Sequence, residues 1–499
     1  MPASLLLRNG TALLHDDNDK VTPTRTDILV EDNVISRIEK DIVAPPGTGV
    51  IDCTNKIISP GFIDGHQHVW QTFNKGRHAN ETLLEYMPTG AFTANLHTRE
   101  DIYWGQLGGC LSLLNAGTTT VLDHAHLNVF SGSSEVAISA TVSSGIRSLF
   151  CYTPSVVVTS WSPFDIHPNI LEPWVISDLA ALLRKAPFGS QGRVRLGLGF
   201  DAWYLPSQVF QPLFDVAQKG GIDLLTSHMV GGPMFPIPNL VEAVQRSGAL
   251  NGEVFRRVVL SHATGITPDQ ADVLVESDAY IVSTPSTELQ MGHGRPVCFD
   301  ENIRSNACLG GDCLSSGGFS IPGEMRLGLQ AERGLRNQKI IDKNKAIKHV
   351  HRTVEQAFNL GTIQGARAIG MEEKIGSIAV GKLADLVVFD GDTPAMICAA
   401  QNDPVAAIVL FSTSSDISTV IIDGVLRKSE GRLCPVQVED GAKGFIGKDI
   451  VEWRDIGKHI LEMRDEYWNN KSSKIDFKEA EKGVSKAWHI DESKFTDEA

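Results

Sequence analysis

Two pairs of histidines, each separated by a single residue, are the chemically most informative feature of the 499-residue sequence. His66 and His68 form the first pair, and His124 and His126 form the second. Side chains alternate along an extended strand, so both members of such a pair point to the same side. Two imidazoles on one side, joined by a third histidine and a carboxylate, are ligand types that suit zinc or a similar divalent ion.

Further candidate ligands follow other strand-like runs. His228, His262 and Asp312 each come at the end of a short apolar run. A single histidine in such a place is more often a packed core or loop residue. Here, however, five of the eight predicted strand ends carry histidine or aspartate, in a chain with only 15 histidines. This clustering predicts a metal site.

The elements that must position these residues alternate between strands and helices. The candidate strands are Ile58–Ile63, Thr118–Asp123, Ile146–Tyr152, Val194–Leu198, Ile222–Thr226, Val258–Leu260, Tyr280–Ser283 and Ala307–Gly311. The candidate helices include Glu100–Asn115, Val175–Lys185, Ser207–Gln218 and Pro268–Glu276. Eight such repeats favour an α/β fold, a closed (β/α)8 TIM barrel whose active site lies at the carboxyl ends of the strands. An open doubly wound sheet is the alternative, although no Gly-x-Gly-x-x-Gly follows any of the strands.

Both ends of the chain are rich in short strand-like runs and turns. The later ones are Ala384–Asp390, Ala406–Phe411 and Thr419–Ile422, followed by a hairpin signal at Asp423-Gly424. We expect residues 1–58 and 376–435 to form one composite β-sandwich domain, with the barrel at 59–375. Residues 436–499 are predicted to be a charged, partly helical extension, with an amphipathic helix at Asp449–Tyr467 and a loosely packed remainder.

Composition narrows the classes of partner. The formal net charge of −15 argues against nucleic acid and anionic membrane. The eight cysteines include no Cys-x-x-Cys pair, and no run of about 18 apolar residues occurs, so we expect reduced thiols and no membrane span. The chain is therefore expected to be cytoplasmic and to act on a small molecule. Large barrels often pair, which favours a homo-oligomer.

Several motifs, in order along the chain, resemble the amidohydrolase superfamily, in its cytosine-deaminase and chlorohydrolase branch. Pro60–His68 resembles the strand-one metal motif, and Ala116–Val121 resembles the entry to strand two. Pro285–Pro296 resembles the strand-seven loop, Gly376–Leu386 the return into the β-sandwich, and Val420–Gly424 the final hairpin. The resemblance covers about residues 1–435.

The resemblance implies a role for each candidate residue in a metal-dependent hydrolase. His66, His68 and His228 would bind the metal, and Asp312 would be both the fourth ligand and the general base. His262 would assist by contacting the attacking water or the substrate. A metal lowers the pKa of bound water from about 15.7 toward 7. Two-metal relatives usually have a carboxylated lysine after strand four, where this chain has no lysine in residues 199–204. We therefore expect one divalent ion per subunit, zinc first, with iron and manganese open.

One position departs from this branch. Deaminases and chlorohydrolases of the resembling branch have a His-x-x-Glu motif after strand five, and its glutamate protonates a ring nitrogen of the substrate. Here the residue three positions after His228 is Gly231 instead of glutamate. His124, His126 and Glu288 are the candidate replacements. We therefore expect carbon–nitrogen hydrolysis of a small non-peptide amide or cyclic amide first. Ring deamination or dehalogenation comes second, and a non-catalytic binding barrel third.

Substrate contacts are also implied. Gln71, three residues after His68, matches a position that often reaches the substrate in this branch. His124, His126, Trp203 and Glu288 are further candidates. Trp70, Trp203, Tyr204 and Phe235 could supply aromatic walls, although each such residue is more often simple packing.

Overall fold

The computed structural model describes residues 4–232 and 239–496, and its central unit is a closed barrel of parallel strands. The strands are Phe62–His68, Thr118–Asn128, Arg147–Pro154, Val194–Gly199, Leu224–Met229, Arg257–His262, Tyr280–Ser283 and a divided eighth strand, Ala307–Leu309 with Asp312–Cys313. Each pairs with the next, and Asp312 and Cys313 pair back to Gln67 and His68 of strand one. This closure confirms the predicted TIM barrel and excludes the open sheet.

Glycines make the closure possible. A side chain at Gly310 would place its Cβ 2.7 Å from the backbone nitrogen of His66, and one at Gly311 would lie 2.2 Å from the carbonyl oxygen of Gly318. Strands eight and one can therefore approach closely enough to bring Asp312 beside His66 and His68.

Helices surround the barrel. They are Leu83–Thr89, Arg99–Asn115, Ser133–Ser144, Pro173–Leu183, Ser207–Lys219, Leu240–Arg246, Pro268–Glu276, Pro285–Gln290, Ile321–Ile341, Val354–Leu360 and Ile363–Ala368. Side chains from alternating strand positions, such as Ile63, Leu122 and Val259, fill the interior together with Ala366 beneath them. The barrel is therefore a packed core that holds the site at one end.

The two chain ends form one sheet of nine strands. They are Ser4–His15, Val21–Glu31, Val34–Glu39, Gly49–Asp52, Lys56–Pro60, Leu386–Asp390, Ile417–Ile422, Val425–Ser429 and Arg432–Leu433. Lys56–Pro60 pairs antiparallel with Leu386–Asp390, which joins the two ends. Leu7, Ile28, Ile58 and Val388 share its core. The composite β domain from both chain ends is confirmed.

Two predicted strands are wrong. The predicted strand Ile58–Ile63 runs across a domain boundary: Lys56–Pro60 lies in the β domain, and barrel strand one begins at Phe62. The predicted strand Ala406–Phe411 is helical, because Pro404 begins a turn there and Asp403 accepts hydrogen bonds from the next backbone nitrogens. Pro60-Gly61 is the break between the two strands in the first case, whereas the uninterrupted apolar run at 406–411 has no periodicity that distinguishes a helix from a strand.

The C-terminal extension packs on the barrel instead of lying loosely. It contains the helices Asp440–Ile446, Trp453–Glu466 and Phe477–Ala487. The absence of a side chain at Gly108 admits Ile460, whose Cδ1 would be 2.3 Å from a Cβ at that glycine. Tyr467 is almost completely buried. In the described part of the chain, no helix has both the length and the apolar composition needed to cross a bilayer.

Candidate active site

The carboxyl ends of barrel strands one, five and eight bring four predicted site residues together. One ligand atom from each of His66, His68, His228 and Asp312 lies within 4.8 Å of the others. The Nε2 atoms of His66 and His68 are 3.1 and 3.2 Å from Asp312 Oδ1, respectively. His228 Nε2 is 3.2 Å from His68 Nε2.

The hydrogen bonds behind these histidines show why the group fits a cation. His68 Nδ1 donates to the carbonyl oxygen of His124 at 2.8 Å, and His228 Nδ1 donates to Asp201 at 3.0 Å. When each imidazole is neutral with its proton on Nδ1, both Nε2 atoms carry lone pairs, and they face each other. Two lone pairs 3.2 Å apart repel unless a metal cation or a shared proton lies between them. The spacing is close to the roughly 3.4 Å between two ligands of a tetrahedral ion with bonds of about 2.1 Å.

The protonation states also suit a metal. Burial holds the pKa of His66 well below its usual value, so this imidazole is neutral at neutral pH. Burial raises the pKa of Asp312, but a hydrogen bond from His66 and the neighbouring imidazoles outweigh it and hold that pKa well below the usual range. The neutral imidazole of His66 and the carboxylate of Asp312 are forms that bind a divalent ion. Burial lowers the pKa of His228, but Asp201 outweighs it and raises that pKa above its usual value, so an ion bound there would displace a proton.

Asp201, just after strand four, is a part of the site that the sequence did not predict. Its Oδ2 accepts from His124 Nε2 and His228 Nδ1, each at 3.0 Å, and its Oδ1 accepts from the backbone nitrogen of His228 at 2.8 Å. His228 and His124 hold the pKa of Asp201 well below the usual range. His124, Asp201 and His228 lie close enough to share an ion themselves. However, two donors on one carboxylate oxygen are typical of hydrogen bonding, so we interpret Asp201 as the residue that orients His228.

His262, at the end of strand six, lies beside this group. Its Nε2 is 3.9 Å from Asp312 Oδ1, and its Nδ1 is 2.9 Å from Thr284 Oγ1. Burial lowers the pKa of His262 to about 4, so the ring is neutral. His262 and Asp312 have φ angles of 72° and 61°, which non-glycine residues rarely adopt. Such backbone strain is common at functional sites.

A cavity of about 230 Å³ opens over the strand ends. His68, His228, His262 and Asp312 lie on its polar side, and most of the remaining wall is aliphatic or aromatic. Asp201 and Asp312 are the acidic residues among the described residues of its wall, which include no lysine or arginine.

The predicted substrate-binding residues divide into two groups. His126 lines the cavity, with its ring centroid 3.9 Å from that of His68. Gln71 and Trp203 lie behind the wall: Gln71 Nε2 donates to Tyr86 Oη at 2.5 Å, and Trp203 Nε1 donates to Ser227 Oγ at 2.8 Å. The structure does not bring these two side chains to the cavity.

His124 and Glu288 are also behind the wall. The Nε2 of His124 is occupied by Asp201, and Glu288 Oε1 accepts from the backbone nitrogen of Thr284 at 2.8 Å. Burial raises the pKa of Glu288 well above its usual value. Of the predicted aromatic walls, Tyr204 lines the cavity and Trp70 is buried against His126. Phe235 lies outside the described residues.

His293 is a cavity residue to which the sequence assigned no role. Its ring centroid is 4.9 Å from that of His262, and among the described residues neither ring nitrogen has a hydrogen-bond partner. Burial lowers the pKa of His293 to about 3. His293 also lines a second surface pocket together with Gly231. A Cβ at Gly231 would lie 2.5 Å from the carbonyl oxygen of Thr264, so no glutamate fits there.

Solved structures similar to this chain include hydrolases and a deaminase. An atrazine chlorohydrolase from Arthrobacter aurescens, complexed with zinc, is 19% identical and aligns with a TM-score of 0.70, over 92% of this chain and all of the other. An adenosine deaminase from Xanthomonas campestris with bound zinc is 17% identical, with a TM-score of 0.73 over 94% and 99% of the two chains. At these identities the similarity establishes the fold.

Sequence comparison extends the similarity to whole proteins. A 5-methylthioadenosine/S-adenosylhomocysteine deaminase of Thermococcus sibiricus is 25% identical over 436 residues, 84% of this chain and 93% of the relative. A 5'-deoxyadenosine deaminase of Methanosphaera stadtmanae is 25% identical over 446 residues, 88% and 96% of the two chains. The sequence pattern of the amidohydrolase family matches residues 57–154 and 241–427, more than half of the chain. The chain therefore belongs to the amidohydrolase family and is a hydrolase.

Proposed function

We propose that this chain hydrolyses a carbon–nitrogen bond of a small, nitrogen-containing ring compound, with one divalent metal ion, and that release of ammonia is the leading reaction. The observation that carries this proposal is the convergence of His66, His68, His228 and Asp312 at the polar side of a largely apolar cavity. The deaminase names of the sequence relatives favour removal of an amino group over the amide cleavage expected from the sequence.

These four residues would hold the ion. Zinc is our choice because three imidazoles and one carboxylate suit it, and because two similar structures contain it. When bound, the ion supplies a Lewis acid that makes water more acidic.

The chain supplies the proton transfers. Asp312 is ionised, so its carboxylate can accept a proton from the attacking water and pass it to the departing nitrogen. His262 lies on the same side and is held by Thr284, so its Nε2 can hydrogen-bond the water or the substrate.

We propose His293 for the contact with the substrate nitrogen that a glutamate makes in the resembling branch. It lies in the cavity wall, next to His262 and near Gly231, and its ring nitrogens are available for hydrogen bonding. His126 is the remaining candidate from the sequence, because His124 and Glu288 are hydrogen-bonded behind the wall.

A second reaction is favoured by Gly231. Opening of an amide or cyclic amide needs no protonated ring nitrogen, and the close approach of Thr264 leaves no space for the glutamate that would supply one. Dehalogenation of a ring is the third candidate.

We further propose a cytoplasmic homo-oligomer with the domain division 1–58 with 376–435, 59–375, and 436–499. The absence of any Cys-x-x-Cys pair and the net charge of −15 support this location and argue against nucleic-acid and membrane partners.

A screen of zinc-loaded protein tests the reaction. Aminopurines, aminopyrimidines, triazines, amides and lactams would be scored for ammonia, amine or chloride. We expect ammonia release by the parent and none by Asp312→Asn. Equal turnover by both proteins would contradict the role of Asp312. Fully metal-loaded protein that releases none of the three products would contradict the proposed reaction.

A further inference from the structure

The C-terminal extension reaches the substrate cavity. Trp488, which directly follows the helix Phe477–Ala487, is one of the cavity-lining residues. Its ring meets that of Phe92, another lining residue, edge to face with centroids 6.1 Å apart. The wall of the site is therefore built from both the barrel and the extension, which lies beyond the part matched by the family pattern.

Several contacts hold this part of the extension in place. Gly483 lies against Phe164, whose Cδ1 would be 2.6 Å from a Cβ at that glycine. Trp468 packs under Arg77, with the guanidinium carbon 4.2 Å from the ring centroid. Lys471 Nζ is 2.5 Å from Asp101 Oδ2. A segment that is docked through apolar, cation–π and ionic contacts can present Trp488 in a fixed position.

The chemistry of this side of the cavity is apolar. Leu83, Met87, Phe92 and Ile170 line the cavity together with Trp488. No lysine or arginine occurs among the described lining residues, and the sequence of 233–238 contains no charged residue. An anionic group of a substrate would therefore be desolvated without a counter-charge, which is costly. A flat, uncharged group would instead gain from contact with the two aromatic rings.

We infer that residues 467–488 complete the substrate cavity, and that Trp488 on this segment selects substrates whose non-reacting part is apolar and uncharged. The inference takes the location of the site from the proposed function, but it concerns binding and not the reaction. It predicts a difference in binding affinity between two compounds that appear in the name of a relative. Methylthioadenosine ends in a thioether methyl, whereas S-adenosylhomocysteine continues into a charged amino acid.

Binding of these two compounds to zinc-loaded protein tests the inference. We expect methylthioadenosine to bind at least about tenfold more tightly than S-adenosylhomocysteine, as measured by calorimetry. Trp488→Ala should weaken methylthioadenosine binding about tenfold, and Trp488→Phe should recover most of it. The matched control is Trp453→Ala, because Trp453 is exposed on the same extension and is absent from the cavity wall.

Two results would overturn the inference: equal affinity of the parent for both compounds, or equal affinity of Trp488→Ala and Trp453→Ala for methylthioadenosine. Melting curves of each variant separate lost binding from lost folding, and Trp488→Phe keeps the test valid if the alanine variant unfolds. Protein that discriminates as expected but releases no ammonia, amine or chloride would contradict only the proposed reaction. Turnover without any effect of Trp488 would contradict only this inference.

Discussion

At the residue scale, Asp201 controls the orientation of a proposed metal ligand. It fixes His228 by accepting hydrogen bonds from both Nδ1 and the backbone nitrogen. Without this carboxylate the imidazole can rotate, and loss of such a partner typically lowers metal affinity about 10- to 100-fold. We expect this loss in Asp201→Ala, measured by competition with a zinc chelator. Asp272→Ala, which removes an exposed carboxylate, is the control. Unchanged zinc affinity in Asp201→Ala would contradict the positioning role.

A second prediction at this scale concerns His293. His293→Phe keeps the ring but removes both hydrogen-bonding nitrogens, so kcat should fall about 100-fold with zinc content unchanged. His97→Phe is the control, because His97 is also buried with ring nitrogens that lack partners among the described residues, but lies outside the cavity wall. If His126→Phe loses kcat and His293→Phe does not, His126 takes the place of the glutamate.

The residues that could be predicted from sequence are those at strand ends. His66, His68, His228 and Asp312 follow apolar runs, so a strand pattern and the barrel rule are enough to place them at one edge. Asp201 was missed because the predicted strand ended at Leu198, and because nothing in a sequence shows which carboxylate faces which imidazole. The position of His293 in the cavity wall depends on the conformation of a loop, and a loop has no sequence periodicity from which its conformation could be predicted.

At the scale of elements, a buried ionic cluster joins the barrel to the β domain. Arg147, at the start of barrel strand three, lies 2.9 Å from Asp385 and 2.5 Å from Asp423. All three side chains are buried. Arg147→Ala would leave Asp385 without its cationic partner and Asp423 with only the longer contact to Arg193, at 3.5 Å, so we expect the free energy of unfolding to fall by about 3–5 kcal/mol. Denaturant titration measures this.

The control for this prediction is Arg195→Ala. Arg195 forms a single, partly exposed pair with Asp223 at 3.2 Å, so its loss should cost less than about 1 kcal/mol. Equal effects of the two substitutions would show that the buried cluster does not stabilise the junction.

Elements with explicit end signals were predictable from sequence. The helix Pro268–Glu276 has the predicted bounds, because Thr267 and Gln270 form a capping box at its start. The apolar run at 406–411 carries no such signal. Its helical form follows from Asp403 and Pro404 before it and from burial against the barrel.

At the scale of the whole molecule, the extension that the sequence left without a role is part of the barrel's surface. Four apolar residues of the extension are buried at helical spacing: Ile456, Ile460, Met463 and Tyr467. The same spacing occurs in any amphipathic helix, so it does not identify the surface against which the helix packs. Sequence reasoning could predict the helix but not the surface that covers it. That surface includes Gly108 of the helix Arg99–Asn115, whose missing side chain makes room for Ile460.

Deletion of residues 440–499 should therefore destabilise the barrel. Each large apolar side chain of this surface contributes about 1.5–3 kcal/mol through burial, so the loss of four should lower the melting temperature by on the order of 10 °C. Deletion of residues 492–499 removes a stretch whose described residues, 492–496, are exposed, and it should leave the melting temperature unchanged. If both truncated proteins have the melting temperature of the full chain, the extension adds nothing to the stability of the barrel. Its contact with the cavity through Trp488 would then be its main contribution.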